Sequence, residues 1–333
     1  MIFVSGGTGL LGSHVLIEVS KKGLSIRAGY RTEANIAFVK SLFAYHNLRE
    51  AFEKIHWIDF DLSNPASVES AVEGCKEVYH CAALVSFFSN DSQKLFDVNV
   101  TGTRHMVNAS LRHGVDKFCH VSSTGSIGRQ KDGLLVTEKE KWSSKVGNSV
   151  YSKTKHLSEL EIWRASEEGL NAVVVNPSII LGPALDARSS AAIIKNASKG
   201  GHFFTSGSNG FVDVRDAALC MVKLMEANCF YERFLLVGHN KRFREMLGTL
   251  AKAFGKKAPN RSLPRLIGEV AWRLEILRSF FAGSKPLLTR ETIDSAYHEV
   301  SYSNEKVRSR LSFEFRSLED TVDYAVASFQ KLL

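Results

Sequence analysis

A short apolar strand, Ile2-Phe3-Val4, runs straight into Ser5-Gly6-Gly7-Thr8-Gly9-Leu10-Leu11-Gly12, and a helix, a second strand from Leu24 to Tyr30, and Arg31 follow. This unit constrains the fold more than any other stretch. Glycines between a strand and a helix do separate jobs: one permits the sharp turn, one lets a pyrophosphate approach the backbone, and one lets the helix lie close to the sheet. Here Gly6, Gly9 and Gly12 are at G-x-x-G-x-x-G spacing, while Gly7, Gly9 and Gly12 fit G-x-G-x-x-G. Spacing does not choose between the two. The N-terminus of the following helix supplies unpaired N–H groups and partial positive charge to phosphates. The strand–turn–helix context identifies a dinucleotide-binding unit, with Gly6, Thr8, Gly9, Leu10, Leu11 and Gly12 as its candidate phosphate contacts.

Strands and helices go on alternating. Ile55 to Ile58, Glu77 to Cys81, Lys117 to Val121 and Ala172 to Val175 read as buried strands, and Ser67 to Glu73, Gln93 to His113 and Tyr151 to Glu168 as helices. Near-continuous apolar strands separated by helices predict an α/β fold, a doubly wound parallel Rossmann sheet with ligand at the carboxyl ends of its strands. Beyond Gly182-Pro183 the pattern loosens. Residues 1–182 are expected to form the dinucleotide domain, with 211–237 returning to it. Residues 183–210 and 238–316 are expected to form a smaller, mainly helical substrate lobe, and 317–333 a closing helix.

In 333 residues the net charge is +8. Between His239 and Arg290 there are twelve lysines and arginines against three acids, so the rest of the chain, with 31 positive and 32 negative residues, is almost balanced. No aromatic-basic motif accompanies the excess, which argues against nucleic acid as a partner. The 239–290 segment instead suits an acidic substrate, peripheral contact with an anionic membrane, or simply solvated helix faces. No apolar run reaches the length of a membrane span, and no signal-peptide pattern is present. Five cysteines without a C-x-x-C pair suggest reduced thiols in a cytoplasmic protein. The histidines and cysteines are not grouped as metal ligands, so no metal is expected.

Tyr151 and Lys155 are one helical turn apart on the same face. A phenol titrates near ~10 and is a poor acid or base at neutral pH, but an ammonium within ~4–6 Å lowers that value. Such a pair can give a proton to a carbonyl or take one from an alcohol, and Lys155 is also placed to bond a nicotinamide ribose. The same spacing recurs at Tyr302 and Lys306, where no strand-end serine precedes it. Upstream of Tyr151, a strand ends in Ser122-Ser123-Thr124, whose hydroxyls can hold a substrate oxygen or merely shape a turn.

Taken together, Gly6-x-x-Gly9-x-x-Gly12, Asp61-Leu62, Ala82-Ala83, Asn99-Val100-Thr101-Gly102-Thr103, Ser122-Ser123, Tyr151-x-x-x-Lys155 and Asn176-Pro177…Gly182-Pro183 stand in the order seen in extended short-chain dehydrogenase/reductases. The chain most resembles the dihydroflavonol-4-reductase and 3β-hydroxysteroid dehydrogenase group of the epimerase/dehydratase family. Ala82 to Phe87 and Tyr302 to Lys306 are similar to segments of its bacterial members. The resemblance implies Ser123 as the substrate-orienting hydroxyl, with Ser122 and Thr124 as competitors, and Tyr151 as the acid/base. It implies Lys155 as ribose anchor and pKa modulator, and Asn99 as support for a proton-relay water. Asp61 and Leu62 would bracket the adenine, although Asp61 also suits a turn or helix cap. Ala82 and Ala83 would lie along the cofactor, and Pro177 and Ile180 along the nicotinamide. A homodimer through two helices is implied on the same basis.

Cofactor choice turns on Arg31, nineteen residues after Gly12, where an acid would bond the ribose 2′-OH of NAD. A guanidinium suits a 2′-phosphate, so NADP(H) is preferred and NAD(H) is the alternative. The expected activity is hydride transfer between nicotinamide and a carbonyl or secondary alcohol of a small, apolar substrate. Phe87, Phe88, Phe203, Phe204 and Phe211 are candidates to wall its pocket or to fill the core. Rival readings are a nucleotide-sugar epimerase or dehydratase with tightly held NAD, and a non-catalytic NADP(H) sensor.

Overall fold

The computed structural model describes every residue except 129–133, 144–147, 186–189, 283, 285 and 287. Its frame is a sheet of seven parallel strands: β1 (Ile2–Ser5), β2 (Ile26–Tyr30), β3 (Ile55–Asp59), β4 (Glu77–His80), β5 (Lys117–Val121), β6 (Ala172–Pro177) and β7 (Glu232–Leu236). Their spatial order is β3-β2-β1-β4-β5-β6-β7, so the winding reverses between β1 and β4. That is the doubly wound Rossmann arrangement, with its ligand crevice at the switch point.

Both faces of the sheet are covered, which is why the strands read as unbroken apolar runs. Val4, Tyr79, Cys119 and Val175 face a core built with α1 (Leu10–Ser20) and the helix Val214–Glu226. Their chain neighbours Phe3, Val78, Phe118 and Val174 face a second core, together with Met106 of α2 (Gly102–Arg112) and Ile162 of α3 (Val150–Glu167). At roughly 25 cal/mol per Å² of apolar surface removed from water, such two-sided burial is the dominant favourable term.

Three sequence expectations need correcting. The helix expected over 93–113 is interrupted: α-helical turns at Ser92–Leu95 and Gly102–Arg112 flank a π-helical stretch, Phe96–Thr101. Residues 211–237, expected to return to the dinucleotide domain, do so only in part: the strand Ser208–Asp213 stays outside the seven-stranded sheet. It pairs with Ile179–Leu181 and His239–Arg242 in a separate three-stranded sheet, while the helix and strand after it, Val214–Glu226 and Glu232–Leu236, do return to the main layers. Asp61 does not cap the helix Pro65–Val72; Asn64 does, accepting the Ala66 N–H at 3.0 Å.

The C-terminal helix α4 (Leu318–Leu332) buries Val322, Ala325 and Val326 against Ile194, Met246 and Leu250 of the lobe. Its Tyr324 hydroxyl is hydrogen-bonded to His14 Nε2 of α1 (2.7 Å) and to His46 Nε2 (2.9 Å). One helix thus joins the lobe to the first helix of the sheet layer.

The glycine turn is packed backbone against backbone. Gly6 is in the left-handed region (φ 65°), and a Cβ there would be 2.9 Å from the Ala82 backbone. A Cβ on Gly12 would run into the Gly6 carbonyl. Gly12→Ala should therefore lower stability by about 2–4 kcal/mol, in the range of core overpacking and backbone strain. It should also weaken dinucleotide binding, and thermal melting with a cofactor titration checks both.

Candidate active site

At the carboxyl end of β1, Ser5 Oγ accepts the Ala82 N–H (3.1 Å) and is hydrogen-bonded to His80 Nδ1 (2.8 Å). This ties the exits of β1 and β4 together beside the glycine turn. Gly9 precedes α1, which has no side-chain cap and no acid in its first turn. The first N–H groups of such a helix lack intrahelical partners, so the turn fits a pyrophosphate. Gly7 N–H donates to Gly29 O (3.0 Å), which keeps the end of β2 against this turn. Arg31 follows, exposed and without an ion-pair partner among the described residues. Exposed Asp61 is close in the fold, because Phe60 N–H donates to Tyr30 O (2.7 Å); its carboxylate accepts the Ser63 N–H (2.9 Å). Leu62 is buried beneath Gly102, whose absent Cβ would be 2.5 Å from Leu62 Cγ.

Asn99 sits in the π-helical stretch and is fully committed. Its Oδ1 accepts the Leu84 N–H (2.8 Å), and its Nδ2 donates to Leu84 O (3.0 Å) and Thr154 Oγ1 (3.1 Å). Its carbonyl accepts the hydroxyls of Thr103 (2.6 Å) and Ser158 (2.7 Å). The π turn, a local widening common at functional sites, swings this side chain out of helical register to clamp the exit of β4 to α3. Those bonds let Asn99 clamp the β4 exit to α3, beside the relay-water support that the resemblance implied.

Tyr151 opens α3 near Ser123, at the exit of β5. Burial pushes the phenol up to about 12, with Ser123 opposing. Lys155 does not offset this. Its Nζ donates to the Val121 carbonyl at 2.6 Å, and burial drops its pKa to about 8, with Glu159 opposing. The expected depression of the Tyr151 pKa by Lys155 is thus absent from this geometry: the ammonium is anchored on the strand end, and desolvation governs both groups. Of the competing hydroxyls, Ser122 is buried and donates to Ser126 Oγ (3.0 Å). Ser123 Oγ also accepts the Gly125 N–H (3.1 Å), so the turn role and the site role coexist.

Beneath this pair is a buried network that the sequence reading missed. Glu159 Oε1 accepts Ser126 Oγ–H (2.5 Å) and Asn176 Nδ2–H (2.6 Å), and Asn176 Nδ2 also donates to the Ser123 carbonyl (3.1 Å). Arg233 Nη1 is 3.5 Å from Glu159 Oε2. The signal was in the spacing, since Tyr151, Lys155 and Glu159 recur every fourth residue on one face of α3.

The remaining candidates separate. Phe87 packs edge-on to Tyr151, with ring centroids 5.7 Å apart. Phe88 is half-buried, and Phe211 is core, packed on Phe243. Phe204 is beneath the Arg244 guanidinium (4.9 Å), and Phe203 is exposed. Ala82 is half-buried and Ala83 exposed along the β4 exit; Pro177 is buried at the end of β6 and Ile180 half-buried just after it. Leu10 approaches the same region, within 3.1 Å of where a Cβ on Gly182 would lie. The second Tyr–Lys pair is structural: Lys306 Nζ donates to Arg233 O (2.8 Å) and pairs with Glu232 (3.1 Å).

Residues 2–233 match the model of the NAD dependent epimerase/dehydratase family. The chain belongs to that family. It is 30% identical over 322 residues to sterol demethylase protein B of Methylococcus capsulatus, covering 95% of this chain and 92% of that protein. It is 24% identical over 334 residues to the bifunctional dihydroflavonol 4-reductase/flavanone 4-reductase of Malus domestica (96% and 87%). The crystal structure of gox2253 superposes with a TM-score of 0.80 at 26% identity, over 99% of this chain and 98% of that one. The chain is accordingly an NAD(P)-dependent enzyme of the extended short-chain dehydrogenase/reductase type.

A buried lysine held near 8 instead of its ordinary 10.5 destabilises the fold while it is charged. Because the folded value is the lower one, the unfolded chain binds more protons between the two, and stability rises with pH across that window. Wild type should gain up to about 3 kcal/mol relative to Lys155→Met between pH 8 and 10.5, and should show no such relative change below pH 7. Urea unfolding of both proteins measures the difference.

Proposed function

We propose that this family member is an NADP(H)-preferring reductase of a carbonyl group on a small, apolar substrate. The observation that carries the reading is that Tyr151 and Lys155 open α3 against the β5 exit that carries Ser123, with Lys155 Nζ on the Val121 carbonyl at 2.6 Å. A bound nicotinamide would supply the hydride to the carbonyl carbon. Ser123 holds the carbonyl oxygen, and Tyr151 delivers its phenolic proton to that oxygen. Burial keeps the phenol protonated at neutral pH, so it holds the proton that the carbonyl oxygen would take. Lys155 is placed to hold the ribose, and the Glu159–Asn176–Ser126 network keeps the Ser123 turn in place.

Several observations support the finer points. Arg31 stands free beside the glycine turn, where a 2′-phosphate would meet it. The same arginine weighs against a nucleotide-sugar epimerase holding NAD, which would place an acid there. Gly6, Thr8, Gly9, Leu10, Leu11 and Gly12 would take the pyrophosphate, Asp61, Leu62, Ala82 and Ala83 the adenosine side, and Pro177 and Ile180 the nicotinamide. The Phe87 ring against Tyr151 favours an apolar substrate. Residues 183–210 and 238–316 would close over that substrate. A homodimer through α2 and α3 is consistent with exposed Leu160 on α3. Five free cysteines, four of them buried, favour a reducing compartment such as the cytoplasm.

In Tyr151→Phe, NADPH affinity should stay within a few-fold of wild type while carbonyl-dependent NADPH oxidation falls about a thousand-fold. Turnover at the wild-type rate would exclude Tyr151 as the proton donor. Carbonyl substrates that leave NADPH unconsumed, with NAD retained through purification, would establish the epimerase reading instead. In Arg31→Asp, the ratio of kcat/KM for NADPH over NADH should fall at least about ten-fold, the size of one charge-assisted contact. An unchanged ratio would remove Arg31 from the 2′-phosphate.

A further inference from the structure

The helix Arg265–Phe281 is turned inside out relative to an ordinary lobe helix. Leu266, Val270, Leu274, Leu277 and Phe281 recur at three- and four-residue spacing, with Ile267 beside them, so they form one stripe. That stripe faces solvent: Leu266 is 75% exposed, Leu274 59% and Phe281 84%. The inward face runs through Gly268, half-buried Trp272 and Glu275, and Ser279. Gly268 is buried against Tyr297 and Ile293, Ser279 is buried, and the Tyr297 hydroxyl donates to Leu263 O at 2.9 Å in the turn before the helix. The apolar stripe is therefore no misplaced core face, because the opposite face already fills that role. Contiguous exposed apolar surface of this kind marks an interaction site.

Charge identifies the partner. Arg273 and Arg278 flank the stripe, each paired with a glutamate of the same helix, Glu269 (2.9 Å) and Glu275 (2.7 Å). The last turn of the preceding helix, Phe243–Ala253, and the segment after it add Lys252, Lys256, Lys257 and Arg261, all exposed and without an acidic partner among the described residues. Arg261 is in register with exposed Phe203 in a two-stranded sheet just before the helix. A second copy of the chain would bring the same positive charge to a self-complementary contact, and like charges oppose such pairing. At 17 residues the helix is about 25 Å long, and no helix of the described residues is long and apolar enough to cross a membrane. We propose that this helix lies in the plane of an anionic lipid surface, its stripe at the acyl boundary and the adjoining basic residues at the headgroups.

The full chain should co-sediment with phosphatidylcholine vesicles containing phosphatidylglycerol at least about ten-fold more strongly than with phosphatidylcholine alone, and high salt should weaken the binding. Leu274→Glu combined with Leu277→Glu should abolish sedimentation, and Lys256→Glu with Lys257→Glu should weaken it about ten-fold. Both variants should keep the wild-type melting temperature, since the altered side chains are exposed. Failure of wild type to bind anionic vesicles, equal binding to neutral ones, or sedimentation untouched by the stripe variant would overturn the proposal. So would a concentration-dependent dimer in sedimentation velocity that the stripe variant loses, because the stripe would then belong to a second copy.

Discussion

Close approach of backbone to backbone where β1 and β4 end side by side, the crossing point of the winding, is the constraint on which the rest of the molecule depends. Gly6 rests on Ala82, Gly12 rests on Gly6, and Ser5 joins Ala82 to His80. A side chain at either glycine would lift α1 from the sheet or push the two strand exits apart. The same contacts leave the α1 N-terminus open at the switch point, where unpaired N–H groups are most useful to phosphate. Structural economy and cofactor chemistry therefore impose the same residue at the same place.

Around that crossing, the candidate site is held by hydrogen bonds rather than apolar packing. Asn99 gathers the β4 exit, α2 and α3 through both side-chain atoms and its carbonyl. Glu159 gathers the β5 exit and β6 through Ser126 and Asn176. Buried polar groups left unpaired are expensive, so a network of this kind holds its members to one arrangement. Its consequence is to keep the Ser123 turn and the start of α3 in fixed relation.

Much of the sheet was legible because strands buried on two faces must be apolar at every position, a pattern that survives in one dimension. The glycine turn was legible because its spacing carries its geometry. The π stretch around Asn99 was not, since nothing in Phe96–Thr101 departs from an ordinary helical composition and the widening is imposed by partners on Leu84, Thr154 and Ser158. That the strand Ser208–Asp213 stays outside the main sheet was not legible, because alternation reveals a strand but not its neighbour. Lys155 was read as the modulator of Tyr151 from their four-residue spacing. A common helix face does not tell which acceptor a long side chain will choose, and here it is Val121.

From its order of residues alone this chain determined a parallel α/β sheet, a dinucleotide turn, a phenol at a helix start, serines at a strand end, and an uneven distribution of charge. Each of these is a local pattern, set by spacing within a few residues or by composition over a few dozen. Tertiary structure alone decided where the Lys155 ammonium goes, that Glu159 and Asn176 meet beneath the Ser123 turn, and that the apolar stripe of Arg265–Phe281 faces outward. Those outcomes depend on contacts between segments distant in sequence, where burial and competing hydrogen-bond partners select one arrangement among several that the local patterns allow equally.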